Sequence, residues 1–127
     1  MNKAVIALGS NIDPQKNIAK AKDRISQRLK ILSESSFVTT EPVGIIKQAN
    51  FINGALLVET DLKLDELKSQ LQGIETVLGR TIAGHPFGPR TIDLDIVVFN
   101  DQIVHQDFYA RDYLKQSVLE LLPQLTY

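Results

Sequence analysis

The 127-residue chain lacks cysteine, carries a net charge of only −1 at pH 7, and has no long apolar run. The absence of cysteine excludes disulfides and thiolate chemistry. The balanced charge provides neither a basic field for a nucleic-acid duplex nor a polybasic patch for a membrane. No segment approaches the roughly 18 apolar residues of a membrane span, and the apolar run near the N-terminus is too short for a signal peptide. We therefore expect a cytoplasmic protein.

Internal repeats and low-complexity segments are also absent, and the length suits a single domain over residues 1–127. Hydrophobic periodicity predicts the secondary structure of that domain. Strands or β-rich stretches are predicted at 4–8, 31–42, 51–60 and 91–99, and helices at 13–28, 61–78 and 112–122. This order indicates an α+β sandwich of the ferredoxin-like βαββαβ type, an antiparallel sheet with helices packed on one face.

The predicted helix ends depend on particular residues. Asp13 should cap the first long helix, with Pro14 in its first turn. Asp61 should cap the second, and Gly79 should end it. Residues 79–90 contain three of the seven glycines and two of the five prolines of the chain, so we predict an irregular, mobile loop there.

Two aspartates, Asp93 and Asp95, stand one residue apart in the last long strand, although aspartate is disfavoured in strands. Because alternate side chains share a face, both carboxylates should point away from the helices. The apolar residues that alternate with them should point toward the helices: Ile92, Leu94, Ile96 and Val98. Carboxylates at this spacing lie roughly 6 Å apart and repel by about 2–3 kcal/mol at an effective dielectric of ~20. Mg²⁺ would remove that repulsion; hydration on a solvent-facing sheet is the alternative.

Arginines precede this strand. Arg90 stands immediately before it, and Arg80 lies in the Gly/Pro-rich loop. A guanidinium beside a carboxylate pair is either a surface ion pair, worth about 0–1 kcal/mol, or a clamp for a phosphate. Cation-binding acids, arginines and a flexible loop together suit a nucleoside triphosphate. The loop has neither common glycine-rich phosphate pattern, and Gly9-Ser10-Asn11 is more often an ordinary loop than a phosphate turn.

The run FGPRTIDLDIVVFN, from Phe87 to Asn100, resembles the signature of the 6-hydroxymethyl-7,8-dihydropterin pyrophosphokinase family of folate biosynthesis. The resemblance extends to AVIALGSN near the start, TTEPVG at 39–44 and FINGALLVET at 51–60. It implies transfer of the β,γ-pyrophosphoryl group of ATP to the hydroxymethyl oxygen of the pterin, release of AMP, and the use of two Mg²⁺ ions. We expect a monomer that binds these small molecules and neither nucleic acid nor membrane.

The resemblance also implies roles for single residues. Asp93 and Asp95 match the family's metal-bridging pair, and Arg80 and Arg90 match arginines that contact the ATP phosphates. The residues that match the ATP side further include Gln72, Glu75 and Arg111, and those that match the pterin side are Thr40, Val43, Gly44, Phe51, Asn53 and Tyr113. Phe51 and Tyr113 would stack on the pterin. Without the resemblance, Phe51 is more simply a core aromatic and Tyr113 a helix residue packed on the sheet.

The chain departs from the family's pattern in two places. Ile82 and Pro86 stand where basic residues commonly close over the phosphates, and Phe87 replaces a tryptophan. Near the C-terminus a short segment with a Pro-His block is missing, and His105 does not align with that block, so we expect it at the surface. Two functions remain open: an active pyrophosphokinase, or a catalytically weak paralogue that binds pterin or nucleotide as a sensor or accessory subunit. Retention of the aspartates and arginines favours the enzyme.

Overall fold

The computed structural model describes residues 1–42, 47–79 and 91–127. The strands are β1 (Asn2–Ser10), β2 (Lys30–Glu34), β3 (Val38–Thr40), β4 (Phe51–Thr60), β5 (Asp93–Phe99) and β6 (Gln102–Ile103). The helices are α1 (Pro14–Ser26), α2 (Leu64–Val77), α3 (Asp107–Ala110) and α4 (Asp112–Leu121). The predicted α+β class and ferredoxin-like order are confirmed. Within these ranges, no helix combines the length and apolar character needed to cross a membrane.

The strands form one antiparallel sheet in the order β2-β4-β1-β5-β6, and β3 pairs with the N-terminal end of β4. The central strand is β1, which pairs with β4 along its whole length. On its other side β5 pairs so that Gly9 lies opposite Asp93 and Ala7 opposite Asp95. Gly9 also lies opposite Asn53 of β4. These registers bring polar residues of β4 and β5 together at the C-terminal end of β1.

Helices α1 and α2 cover one face of the sheet with an apolar core. Their buried side chains recur at helical spacing, as predicted: Ile18, Ala21 and Ile25 on α1, and Leu67, Leu71 and Ile74 on α2. They pack against alternate residues of the sheet: Ala4, Ile6, Leu8, Leu56, Val58, Leu94 and Ile96. Full burial of each large aliphatic side chain contributes about 1.5–3 kcal/mol, so this face is a major source of stability.

A second apolar cluster lies on the opposite face, where α4 packs on β4 and β1. Its centre is Phe108, a fully buried residue of α3, and it includes Val5, Ala55 and Val118. The predicted packing of helices on one face therefore describes α1 and α2, while the short C-terminal helices cover part of the other face. Neither α3 nor β6 is predicted from the sequence.

The prediction that Val98 points toward α1 and α2 is wrong, because β5 contains an irregularity. The β1–β5 register shifts between neighbouring pairs, so that Val5 lies opposite Val98 while Ile6 lies opposite Ile96. Val97 is thus an extra residue, as in a β-bulge, and the alternation of side chains reverses after it. Both Val97 and Val98 belong to the second cluster as a result.

The helix ends differ from the predicted caps. Asp13 precedes α1 with a left-handed φ of 40° and makes no capping hydrogen bond through its side chain, although Pro14 does occupy the first turn. The N-cap of α2 is Lys63 in an extended conformation, two residues after Asp61. The predicted end of α2 is confirmed, because Gly79 follows it with a φ of +97°, which glycine adopts without strain.

Candidate active site

The strand β5 presents Asp93 and Asp95 on the sheet face opposite α1 and α2, as the alternation predicts. Leu94, between them, is buried in the first core, whereas both aspartates are partly exposed. Their neighbours on β1 are Gly9 and Ala7. These small neighbours leave room over the two carboxylates.

A cavity of about 80 Å³ occupies that room, between the sheet and the C-terminal segment. The polar side chains that line it are Asn53, Asp93, Asp95, His105, Asp107 and Tyr113. They come from β4, from β5 and from the segment that contains α3 and α4. The site therefore exists only when the sheet and the second apolar cluster are both formed.

His105 lies beside Asp95, although the sequence predicts it at the surface. Its Nε2 is 3.9 Å from Asp95 Oδ1 and its Nδ1 is 3.9 Å from Asp107 Oδ2, with the side chain 30% exposed. The backbone N–H of Asp107 donates a hydrogen bond to His105 Nδ1 at 3.1 Å. Because Nδ1 is an acceptor, the neutral imidazole carries its proton on Nε2, the nitrogen nearer to Asp95.

A tight hairpin between β5 and β6 explains the position of His105. Asn100 and Asp101 have positive φ angles of 50° and 65°, as in a two-residue hairpin turn, and the strands pair directly on either side. The predicted turn at Asp101-Gln102 is one residue too late. Continued past β6, the observed register places His105 opposite Ile96, the residue that follows Asp95 on β5. Counting residues from the turn places this histidine within one residue of Asp95, whereas matching it to a Pro-His block does not.

Tyr113, near the start of α4, lines the same cavity. Burial is the main cause that raises the pKa of its phenol, while the Arg111 guanidinium lowers it. The carboxylates of Asp107, Asp93 and Asp95 raise the pKa further. The phenol is therefore neutral at physiological pH, and Arg111 lies close enough to the site to act on it electrostatically.

Three residues predicted to bind the pterin meet beside Gly9. Asn53 Nδ2 donates a hydrogen bond to Thr40 Oγ1, which connects β4 to β3. A Cβ at Gly9 would lie 2.5 Å from Asn53 Oδ1 and 4.0 Å from Phe51 Cδ1, so glycine allows this close approach without displacing Asn53. Within the described ranges Phe51 is half-buried and belongs to neither apolar cluster, unlike an ordinary core aromatic.

A larger cavity of about 300 Å³ lies between α2 and the β5–β6 edge of the sheet. Gln72 and Glu75, one turn apart on α2, line it together with Lys68. The cavity shares Asp95 and His105 with the smaller one. The two cavities therefore meet at a carboxylate and an imidazole.

Glu75 is a charged residue that is only 7% exposed. Its Oε2 accepts a hydrogen bond of 2.9 Å from the backbone N–H of Leu94. This contact joins α2 to β5 at the residue between the two aspartates. A buried hydrogen bond to a carboxylate is strong, so Glu75 holds the aspartate strand in place as well as lining the larger cavity.

Several predictions fall outside the described residues. These concern Val43 and Gly44 on the pterin side, Arg80 and Arg90 on the phosphate side, and the loop with Ile82, Pro86 and Phe87. Their roles stay predictions.

The carboxylate pair suits a hard divalent cation. The described part of the chain contains no group of three or more acidic or histidine side chains that could hold a metal ion by itself. Mg²⁺ does not require such a group, because proteins usually hold it with one or two carboxylates, water and substrate phosphates. Asp93 and Asp95, which flank a cavity open to solvent, fit that donor set.

The fold and the site define a class of protein. The molecule is an α+β domain in which two cavities of unequal size meet at Asp95 and His105. Concave sites with a few polar groups suit small molecules, and two adjoining sites could hold two reactants in the geometry that a group transfer requires.

Comparison with known proteins defines the family. The model of the 7,8-dihydro-6-hydroxymethylpterin-pyrophosphokinase family matches residues 5–123. A 2-amino-4-hydroxy-6-hydroxymethyldihydropteridine pyrophosphokinase of Bacillus subtilis is 37% identical over 135 residues, which cover 98% of this chain and 80% of that protein. Enzymes of the same name from Pseudomonas aeruginosa and Haemophilus influenzae are 30% and 32% identical over 98% of this chain, and 83% and 84% of their own lengths are covered. The chain belongs to this pyrophosphokinase family, which confirms the family predicted from the sequence.

Proposed function

We propose that the chain transfers the β,γ-pyrophosphoryl group of ATP to the hydroxymethyl oxygen of 6-hydroxymethyl-7,8-dihydropterin and releases AMP, as a step of folate biosynthesis. Membership in the pyrophosphokinase family supports this activity. The observation that carries it is the junction of the two cavities at Asp95 and His105. One substrate in each cavity would place the hydroxyl group next to the phosphates, and such positioning supplies much of the catalysis in phosphoryl-type transfers.

The larger cavity is the proposed ATP site. Gln72 and Glu75 line its α2 wall, where the family resemblance implies contacts with adenine and ribose. Lys68 adds a cationic group to that wall. Arg80, Arg90 and Arg111 are proposed to contact the phosphates, for which the planar guanidinium group is suited.

The smaller cavity and the adjoining end of the sheet are the proposed pterin site. Phe51 and Tyr113 would stack on the two faces of the ring, and Asn53 would hydrogen-bond to its edge. Thr40 holds the Asn53 amide through the hydrogen bond between them, so its proposed role includes orienting Asn53. The proposed site also includes Val43 and Gly44.

Asp93 and Asp95 are the proposed ligands of two Mg²⁺ ions, which would be bound together with ATP. Bound Mg²⁺ neutralises phosphate charge and polarises the transferred group. Because side chains alternate along β5, both carboxylates point into the cavity. The hydrogen bond from the Leu94 backbone N–H to Glu75 fixes the backbone between them. His105 Nε2–H is placed to donate a hydrogen bond to a phosphate oxygen bound beside Asp95.

The proposed protein is a monomer of one domain, residues 1–127, and the proposed compartment is the cytoplasm. Size-exclusion chromatography with light scattering would measure the oligomeric state directly.

The test of the proposed function is AMP release by the wild-type protein. ATP, Mg²⁺ and the hydroxymethyl dihydropterin should together give AMP and the pyrophosphorylated pterin in equal amounts, and omission of any one should stop the reaction. A binding protein remains the second candidate because Ile82 and Pro86 replace basic residues of the family's loop. Calorimetric binding of the pterin and an unreactive ATP analogue, without AMP release from ATP, would establish the binding protein instead.

A further inference from the structure

A groove of about 290 Å³ lies between α1 and α2 and shares no lining residue with either active-site cavity. Its walls are formed by the C-terminal part of α1 with the turn after it, and by the middle of α2. These helices cover the sheet face opposite Asp93 and Asp95, so the proposed reaction makes no use of this groove.

The groove is cationic. Arg24, in the last turn of α1, and Arg28, in the turn after it, line the groove, and like charges that share a groove repel. Within the described ranges no carboxylate lies within ion-pair distance of either guanidinium. Asp23, beside Arg24 in sequence, accepts a hydrogen bond from Gln27 Nε2 at 3.1 Å and does not line the groove. In the part of the chain that the structure describes, neither guanidinium therefore forms an ion pair.

One of the two arginines is already oriented. Arg28 Nη1 donates a hydrogen bond of 2.9 Å to Gln70 Oε1 across the groove. This contact joins the end of α1 to α2 and restricts the guanidinium to the groove wall. A planar guanidinium held in place loses little further freedom when it binds a phosphate or carboxylate group.

Gly73 lines the groove on the α2 side, and a larger residue would fit at this position without a clash at its Cβ. Gly73 lies in the interior of α2, where glycine disfavours a helix relative to alanine. Among the described residues, a Cβ at this position would meet no atom within 4 Å, so none of their packing contacts demands its absence. Beside it, Val77 is 58% exposed and Ile74 forms an apolar wall. The opening at Gly73 and the apolar residues suit the uncharged part of a ligand.

We propose that this groove binds a small organic anion. Its phosphate or carboxylate group contacts Arg24 and Arg28, and its apolar body lies over Gly73 and Val77. The volume is near the lower end of the roughly 300–1,000 Å³ range of small-molecule sites, so the body is compact, such as a single ring.

The test uses two ring compounds that differ in the anionic group. Phenyl phosphate and benzoate are titrated separately into the ¹⁵N-labelled full chain, and backbone amide shifts are followed residue by residue. At least one probe should give saturable shifts centred on residues 24–28 and on the groove side of α2 (69, 70, 73 and 77), and the tighter probe identifies the preferred group. Shifts at residues 72, 75, 93–95 and 105 report the active site and do not count. The absence of saturable shifts at the groove with both probes would overturn the proposal.

Three variants sharpen this test. Arg28→Gln should weaken binding at the groove at least about tenfold, because it removes a charge-assisted contact. Gly73→Leu should abolish it by filling the space beside Gly73, where an added Cβ meets no described atom within 4 Å, and its circular dichroism should match that of the wild type. Lys16→Gln, which removes an exposed charge of α1 outside the groove, should leave the affinity unchanged. Equal affinity in the wild type and in Arg28→Gln would contradict the proposed site.

Discussion

The two faces of the sheet differ in what their side chains form: one face is a closed apolar core, and the other carries the active-site cavity. On the face covered by α1 and α2, alternate apolar residues such as Leu56 and Leu94 form a closed core. The opposite face is divided: around Phe108 it is apolar, while over Gly9 and Asp95 it is concave and polar. Because side chains alternate along a strand, neighbouring residues such as Leu94 and Asp95 lie in the core and in the cavity respectively. Substitutions on the first face should change the free energy of unfolding, and those at the polar end of the second should change catalysis.

Asp95→Ala should have the largest effect, on the polar face. The loss of a proposed Mg²⁺ ligand should lower the rate of AMP release at least about 10³-fold, because the charge of the transferred group would no longer be neutralised. The free energy of unfolding should change by less than about 1 kcal/mol, since the side chain is partly exposed. The matched control is Asp61→Ala, an exposed aspartate outside the site. AMP release at the wild-type rate would show that Asp95 has no catalytic role.

Leu56→Ala makes the complementary change on the core face of β4. Leu56 is fully buried, so truncation should lower the free energy of unfolding by about 2–5 kcal/mol, measured by urea denaturation. The turnover number per folded molecule should stay close to that of the wild type. A large loss of turnover in a variant of unchanged stability would remove the distinction between the two faces.

His105→Ala tests whether the histidine takes part in the reaction. Loss of the Nε2–H donor beside Asp95 should lower kcat about 10- to 100-fold, the range expected for a hydrogen bond to a charged group. His105→Gln keeps an N–H donor of similar reach and should recover part of that loss. Equal kcat in the alanine variant and the wild type would show that His105 takes no part in the reaction.

Gly9→Ala should act through Asn53. The added methyl group would lie 2.5 Å from Asn53 Oδ1 and would displace that amide, so kcat/KM for the pterin should fall about tenfold through a higher KM. Gly73→Ala is the control, because its methyl group would meet open space. If Gly9→Ala leaves the KM for the pterin unchanged, Asn53 does not bind that substrate.

Tyr113→Phe should have the smallest effect. Burial raises the pKa of the phenol, so the hydroxyl is neutral between pH 6 and 9 and its removal takes away no charge. The aromatic ring remains available for stacking, and kcat/KM should stay within about threefold of the wild type with the same pH profile, while Tyr113→Ala should lose at least about tenfold. Similar losses in both variants would assign the contribution to the hydroxyl group.

Strong local patterns account for the parts of the fold that the sequence predicts. The spacing of leucines in α2, the apolar run of β4 and the alternation of Asp93 with Leu94 each determine a local structure without reference to the rest of the chain. The family resemblance, and no local pattern, predicts that Asn53 and Tyr113 belong to the site, and both line the smaller cavity.

The errors lie where long-range pairing decides the outcome. Val98 turns to the other face because of a register shift against β1, which no property of β5 alone reveals. His105 reaches Asp95 because a two-residue turn reverses the chain after β5. At Asp13 the backbone enters α1 in a left-handed conformation that leaves the side chain without its predicted capping bond. In each case backbone geometry overrides the local preference of the residue.

The most direct test is to locate the bound metal. Mn²⁺, added with an unreactive ATP analogue to the ¹⁵N-labelled protein, broadens the amide signals nearest to it. The proposed site requires broadening centred on residues 93–95 and reaching 105, with the amides of residues 24–28, at the far end of the sheet, much less affected, and Asp93→Asn with Asp95→Asn should remove it. Broadening centred elsewhere, or unchanged in that double variant, would contradict a catalytic metal site on the polar face of the sheet.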